Sequence, residues 1–384
     1  MSRQIRKRRV ALAVTGRSTH EDETVRGALA YHSDIGRWQL VTGNLRPFVP
    51  ARELDLSAVD GVISTFNSRS WAEEVIQAGV PAVNTSSAIA DLPMACVVND
   101  DEAIGRLGGQ YLLERGFEHY GFLTVGNSLF GERRIAGFKR MVEGNAGRVC
   151  HVSRGFTSDD WGRPERLAEW LKGLPKPIAI MAENDTWGCQ LIDAAASIGL
   201  SVPEDVAVLG VDDDEWLTIV CATPMSSIAT NAKEIGYRAA QLLDRLMSGS
   251  PLPDKPQLIP PKKVVARKST DVVISDDRMV TNALRFIREH CAEIVTVEDV
   301  LDEIGVSRKT LELRMKRVTG QTPRNAIFRA RIEKSKRMLS NSSTPVGEIA
   351  RICGFRQSNH FNTVFKRLTG MTPGEYRQRQ IASV

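Results

Sequence analysis

The chain has 384 residues, 51 basic and 46 acidic side chains and a formal net charge of +5, which is length enough for two or three domains with substantial cores. Its six cysteines (96, 150, 189, 221, 291, 353) are scattered, with no CxxC pair and no histidine at zinc spacing, which argues against a disulfide scaffold or a structural metal and for a reducing compartment. No stretch approaches the ~20 apolar residues of a membrane span, and the apolar run 10–14 behind the basic segment 3–9 is too short for a secretory signal; the expectation is a cytoplasmic protein with no membrane partner.

The first 270 residues alternate strand and helix. Apolar runs fall at 10–14, 61–64, 81–84, 120–125, 178–181, 206–211 and 226–229. Longer amphipathic stretches separate most of them, among them 102–115, 132–143, 163–173 and 186–199. Buried strands spaced by helices predict βαβ units and parallel sheets. Seven strands are many for one small sheet, so two lobes dividing near residue 125 are expected. Five prolines between 251 and 261 mark the end of the regular pattern. Domain boundaries follow: 1–270 for the α/β part, a linker at 271–279, and a third segment at 280–384.

That last segment is different in charge and in pattern. Residues 276–384 carry 20 basic and 12 acidic side chains, net +8, leaving 31 and 34, net −3, for the rest. A basic block on a slightly acidic body suits polyanion binding. The segment also repeats itself: 316–323 reads KRVTGQTP and 366–373 reads KRLTGMTP. Each copy predicts an apolar helix, a turn opened by Gly305 or Gly354, and a second helix closed by Gly320 or Gly370. Two helices joined by a glycine turn form the unit that lays its second helix in a DNA major groove.

In the first copy that helix begins at the N-cap candidate Ser307, and Leu311, Met315 and Val318 share the inward face. Arg308, Lys309 and Glu312 then point outward, where an arginine reads guanine and a glutamate accepts from cytosine. Arg314, Lys316 and Arg317 suit phosphate or solvent. In the second copy the helix starts near Ser358 and buries Phe361, Phe365 and Leu368. It presents Asn359, His360, Asn362 and Thr363, asparagine being the reader of adenine. A single long helix over 323–340 would hold the two readers about one DNA turn, roughly 34 Å, apart.

Strand ends in the α/β part carry carboxylates: Asn184-Asp185 after 178–181 and Asp212-Asp213-Asp214 after 206–211. Ligands of open α/β sheets sit there. Such carboxylates serve as an acid/base pair, as acceptors for a polyhydroxy ligand, or simply as caps of the next helix. No GxGxxG, GxxxxGK[ST], GxSxG or HExxH occurs, so neither a nucleotide cofactor nor a metal is expected.

The strings GERRIAGF and IAIMAENDTWGCQLIDAAASIGLSVPEDVAVLGVDDDEW resemble the effector domain of lactose-repressor-type regulators. The resemblance implies a two-lobed periplasmic-binding-protein-like fold in which Arg134, Asp185 and Asp212 hydrogen-bond ligand hydroxyls. An aromatic ring covering the sugar's C–H face would come from Phe66, Trp161 or Trp187, the alternative for each being a place in the core or at the rim. Residues 280–379 resemble the arabinose-regulator (AraC) type DNA-binding domain through Ile349-Ala350, Gly354-Phe355, Phe361, Phe365-Lys366, Gly370, Thr372-Pro373 and Tyr376. A sensor ahead of that domain, with no DNA-binding headpiece before the first strand, is similar to the arrangement of the xylose operon regulator family. That likeness implies a dimeric activator of pentose catabolism bound to promoter DNA and RNA polymerase and triggered by D-xylose, with His20 and Glu21 facing the ligand from the first lobe. Departures stand at His20, Glu183-Asn184 and Trp187, and a different sugar or sugar acid is the alternative effector. A sugar-modifying enzyme and a transport solute-binding protein are the remaining readings.

Overall fold

The computed structural model describes all residues except 1–5, 15–17, 37, 42–52, 127, 145–147, 154, 273–276 and 382–384. The chain forms two units, Met1–Val272 and Val273–Val384.

The first unit contains two six-stranded sheets. Sheet one is built from β1 (Arg8–Ala13), β2 (Trp38–Val41), β3 (Gly61–Ser64), β4 (Ala82–Asn84), β5 (Ala95–Asn99) and β11 (Gln257–Ile259), in the order β11-β5-β4-β3-β1-β2. Sheet two contains β6 (His119–Leu123), β7 (Val149–Val152), β8 (Ile178–Ala182), β9 (Val206–Val211), β10 (Ser226–Ala229) and β12 (Lys263–Val265), in the order β12-β10-β9-β8-β6-β7. Every pairing is parallel but that of β12 on β10. All five residues of β8 and all six of β9 are buried, as expected of central parallel strands covered on both faces. The helices are α1 (Thr19–Ile35), α2 (Arg69–Gln77), α3 (Asp101–Leu113), α4 (Leu129–Glu143), α5 (Pro164–Lys172), α6 (Asp185–Ser197), the short α7 (Leu217–Val220) and α8 (Ala232–Met247).

The expected strands form, but the lobes do not divide at one point near residue 125. The chain passes between lobes three times: from β5 into α3, from β10 into α8, and from β11 to β12. Helix α3 follows sheet one yet packs on α4 and Met181, while α8 follows sheet two yet places Leu243 and Met247 against Gly61. Glycines allow the closest of these approaches. A Cβ on Gly105 of α3 would sit 2.0 Å from the Arg134 carbonyl of α4, so only glycine brings the two backbones together there. The proline-rich stretch does not end the α/β pattern either, since β11 and β12 flank Pro260 and Pro261 and add an edge strand to each sheet.

The second unit is helical: α9 (Arg278–His290), α10 (Val297–Ile304), α11 (Arg308–Thr319), α12 (Pro323–Asn341), α13 (Val346–Ile352), α14 (Ser358–Thr369) and α15 (Pro373–Ile381). The repeated KRxTGxTP string is a helix end and a helix start in one. Gly320 and Gly370 close α11 and α14 in the left-handed conformation, at φ 69° and 80°. Pro323 and Pro373 then take first-turn positions in α12 and α15, where the absent N–H costs nothing. Two apolar cores result. One gathers Val280, Ile287, Val300, Leu311, Met315 and Ile327; the other gathers Ile332, Leu339, Ile349, Phe361 and Phe365. Each fully buried side chain of this size contributes about 1.5–3 kcal/mol. Helix α12, about 28 Å long at 1.5 Å per residue, supplies residues to both cores. At its middle the buried Arg331 donates to the carbonyls of Cys291, Glu293 and Val295 and lies over the Phe355 ring. One side chain thereby fastens the first helix pair to the turn of the second.

Candidate effector cleft and DNA-reading surface

Both sheets have the order in which the first strand lies between the second and third, and ligands of such sheets bind beyond the strand C-termini at that reversal. The expected residues stand there. Asp185 opens α6 after β8, Asp212 follows β9, and Arg134 projects from the second turn of α4 after β6. All but Asp212 are at least 95 % buried, Arg134 at 4 % and Asp185 at 1 % exposure.

The structure brings Arg134, Asp185 and Asp212 into one electrostatic cluster. Burial opposes the Arg134 charge, but Asp101, Asp212 and Glu183 outweigh it and hold the guanidinium above its usual pKa. Its Nε donates to Asp101 Oδ1 at 2.9 Å, and its Nη1 donates to the Glu183 carbonyl. Asp185 accepts from Ser227 Oγ at 2.6 Å and from the Asp214 N–H at 2.7 Å. Its carboxyl is pushed well above the ordinary range, first by burial and then by the neighbouring Asp212. A Cβ on Gly210 would lie 2.0 Å from Asp185 Oδ1, so the glycine two residues before Asp212 is what admits the second carboxylate. Glu183 accepts from Thr124 Oγ1 and the Val125 N–H, both at 3.0 Å, and burial raises its pKa.

On the first lobe, His20 and Glu21 lie in the first turn of α1. His20 lines a small cavity of about 30 Å³ with Thr19, Glu23, Asp212, Thr230 and Lys262, and its buried Nδ1 has no hydrogen-bond partner. Glu21 accepts from Thr65 Oγ1 at 2.7 Å. Thr19 Oγ1 reaches across to Asp214 Oδ2 at 2.5 Å, and Asp214 Oδ1 caps α7 through the N–H groups of Trp216 and Leu217. Lobe closure thus has a direct hydrogen bond beside the Asp212 carboxylate.

Phe66 takes the core alternative. Its ring is wholly buried in the sheet-one core, stacked at 6.0 Å on Trp71 and packed with Ala13, Val62 and Val75, so in this conformation it offers no face to a sugar. Trp161 and Trp187 meet edge to face at 5.8 Å, with Trp161 about half exposed and Trp187 buried. Residue-by-residue reading missed Asp101 and Glu183. Locally both look like helix-start residues, and only the fold gives them Arg134.

The candidate DNA-reading residues are placed as the helical period predicts. Leu311, Met315, Phe361 and Phe365 are fully buried, while Arg308, Lys309, Glu312, Asn359, His360, Asn362 and Thr363 are exposed. Ser307 caps α11 by accepting from the Thr310 N–H at 3.2 Å. Arg308 pairs with Glu298 and lies 4.0 Å from Glu312. His360 rests its ring edge-on against Phe328 and Phe355, at 5.3 Å and 5.9 Å. Arg314 and Arg317, expected at phosphate or in solvent, are exposed and also reach Asp277, the N-cap of α9, at 3.2 Å and 3.5 Å. Leu313 is a further candidate that the sequence reading did not single out. The fifty-residue offset maps Thr363 onto it, and it is 70 % exposed beside Lys309 and Lys316.

Comparisons with known proteins agree with this division. Residues 110–270 match the periplasmic binding protein-like domain and 300–379 a helix-turn-helix domain. The xylose operon regulatory protein of Escherichia coli (strain K12) is 30 % identical over 327 residues, covering 83 % of each chain. That of Haemophilus influenzae is 30 % identical over 330 residues, covering 83 % of this chain and 85 % of its own. The solved structure described as the xylose-binding transcription activator xylR superposes with a TM-score of 0.79 at 27 % identity, over 97 % of this chain and 98 % of its own. Among the described residues no helix is long and apolar enough to cross a membrane. With a two-lobed α/β unit joined to two helix-turn-helix units, and relatives alike over most of its length, the chain belongs to the xylose operon regulator family.

Proposed function

We propose that this chain is a cytoplasmic, homodimeric transcription activator of pentose catabolic genes whose DNA binding is controlled by D-xylose. Residues 1–270 bind the sugar, 271–279 link, and 280–384 read promoter DNA and meet RNA polymerase. The observation that carries the reading is the convergence of Arg134, Asp185 and Asp212 at the lobe junction, on a chain that also holds two helix-turn-helix units. A guanidinium donates to ring hydroxyls, carboxylates accept from them, and His20 Nδ1 and Glu21 add polar groups from the facing lobe. The three crossings between the lobes act as the hinge, and sugar bound between lobes favours the closed form by its differential affinity for the two states. Arg308, Lys309, Glu312, Asn359, His360, Asn362 and Thr363 face the major groove. The chain transforms no substrate in this account. A thermal-shift screen across pentoses, hexoses and uronic acids tests it: D-xylose is expected to give the largest stabilisation. A larger shift with a uronic acid would reassign the effector, and no shift with any sugar would remove the sensor role.

A further inference from the structure

We propose that the ion pair between Asp213 and Arg267 relays the state of the effector cleft to the segment leading into the DNA-binding unit; the inference rests on the sugar-responsive reading above and names how that site is coupled.

Asp212 and Asp213 are consecutive non-glycine residues at positive φ, 106° and 54°. Such backbone conformations persist only where the surroundings over-determine them, and they concentrate at switches. Two contacts hold Asp213. Its N–H donates to Ser227 Oγ at 3.0 Å, the same hydroxyl that donates to Asp185. Its Oδ1 lies 2.8 Å from Arg267 Nη2, both side chains being mostly buried, in an ionic contact without an aligned hydrogen bond. The carboxylate beside the effector-binding Asp212 is therefore spent on the far end of the unit.

Arg267 is equally committed. Its backbone N–H donates to Ser226 Oγ at 2.7 Å, its carbonyl accepts from that hydroxyl at 3.0 Å, and Nη1 donates to the Met225 carbonyl at 3.1 Å. The next residues are pinned as firmly. Ser269 Oγ donates to the Val208 carbonyl of β9 at 2.5 Å, and the Thr270 carbonyl accepts from Arg115 Nε at 2.8 Å. Ser269 and Thr270 are fully buried, and the unit ends at Val272. Residues 267–270 are thus held firmly to the body of the unit. Strand β10 joins both sides, with Ser227 on the carboxylates and Ser226 on the exit segment. A hydroxyl that draws Asp212 into a new position turns the backbone at Asp213 and changes its hold on Arg267.

The test uses the full chain carrying Asp213→Asn or Arg267→Gln, asparagine being tolerated at the positive φ. Calorimetric titration with D-xylose gives sugar affinity; a fluorescent duplex selected by the native protein gives DNA affinity with and without sugar. The expected result is sugar affinity within threefold of native, with the sugar-dependent change in DNA affinity reduced at least fivefold. By reciprocity, the effect of DNA on sugar affinity would fall by the same factor. Arg267→Lys, which keeps the charge, would retain part of the coupling. Native coupling in Asp213→Asn and Arg267→Gln, or loss of sugar binding in either, would overturn the relay. A native protein whose DNA affinity ignores sugar would instead overturn the regulator reading itself.

Discussion

Arg134 is predicted to be a ligand group and a structural ion at once, and the two roles separate experimentally. Its side chain is 5 % exposed and that of its partner Asp101 is fully buried. Arg134→Ala leaves Asp101 with Ser87 Oγ at 2.5 Å as the hydroxyl donor to an otherwise uncompensated buried charge. Breaking a buried pair from one side costs about 3–5 kcal/mol, on the order of 10 °C in melting temperature for a unit of this size. Asp101→Asn in the same chain removes the stranded charge and should return at least about 2 kcal/mol, without restoring sugar binding. All six tryptophans (38, 71, 161, 170, 187, 216) lie in the first unit, so their fluorescence during urea unfolding reports that unit alone. Calorimetry with D-xylose reads the ligand role. The reasoning fails if the double variant is no more stable than Arg134→Ala, or if either variant binds the sugar with native affinity.

Three further outcomes follow from local geometry. Asp185 has a raised pKa in the fold, so the folded state holds its proton more tightly than the unfolded chain does; its ionisation therefore lowers stability as pH rises above the ordinary carboxylate range. Asp185→Asn should flatten that decline above the ordinary carboxylate range, melt no lower than native at the alkaline end, and bind sugar more weakly; a steeper decline would contradict the sign. Leu313 should sit on a thymine methyl. Replacing one thymine by uracil in a selected duplex would weaken native binding about fourfold, the worth of one buried methyl at ~0.8 kcal/mol, and leave Leu313→Ala indifferent to the exchange. Gly354→Ala should destabilise the DNA-binding unit more than Gly305→Ala, because its Cβ would meet the Glu293 carbonyl at 2.5 Å whereas Gly305 has open space. Both pay ~1–2 kcal/mol for positive φ, so equal helical melting by circular dichroism would show that the clash relaxes.

In the second unit the two helix pairs and the helix between them were legible almost to the residue, whereas α9 and α15 were not read from the sequence. Caps, left-handed glycines and helical period are local, and the internal repeat supplied a check on each assignment. Much of the first unit was legible as elements but not as topology. Strands β8 and β9 announce themselves as unbroken apolar runs, whereas β2, β7, β11 and β12 are short or lie at sheet edges. The lobe exchange of α3 and α8 depends on close backbone approaches at glycines such as Gly105, a partner choice made across tens of residues. Asp101 shows why the site was only partly readable. A carboxylate at a helix start reads as a dipole partner until the fold sets Arg134 at 2.9 Å. Phe66 errs the other way, since an aromatic after a strand end fits either a sugar face or a core.

The most direct measurement of the central claim is a titration of a fluorescent duplex, selected from a randomised pool by the full chain, against that chain at fixed salt with and without D-xylose. The account predicts binding at least 10³-fold tighter than to random-sequence DNA and a 5- to 150-fold, roughly 1–3 kcal/mol, change in affinity on adding sugar. Isotherms that superpose with and without D-xylose, or no preference for any duplex in the pool, would contradict it.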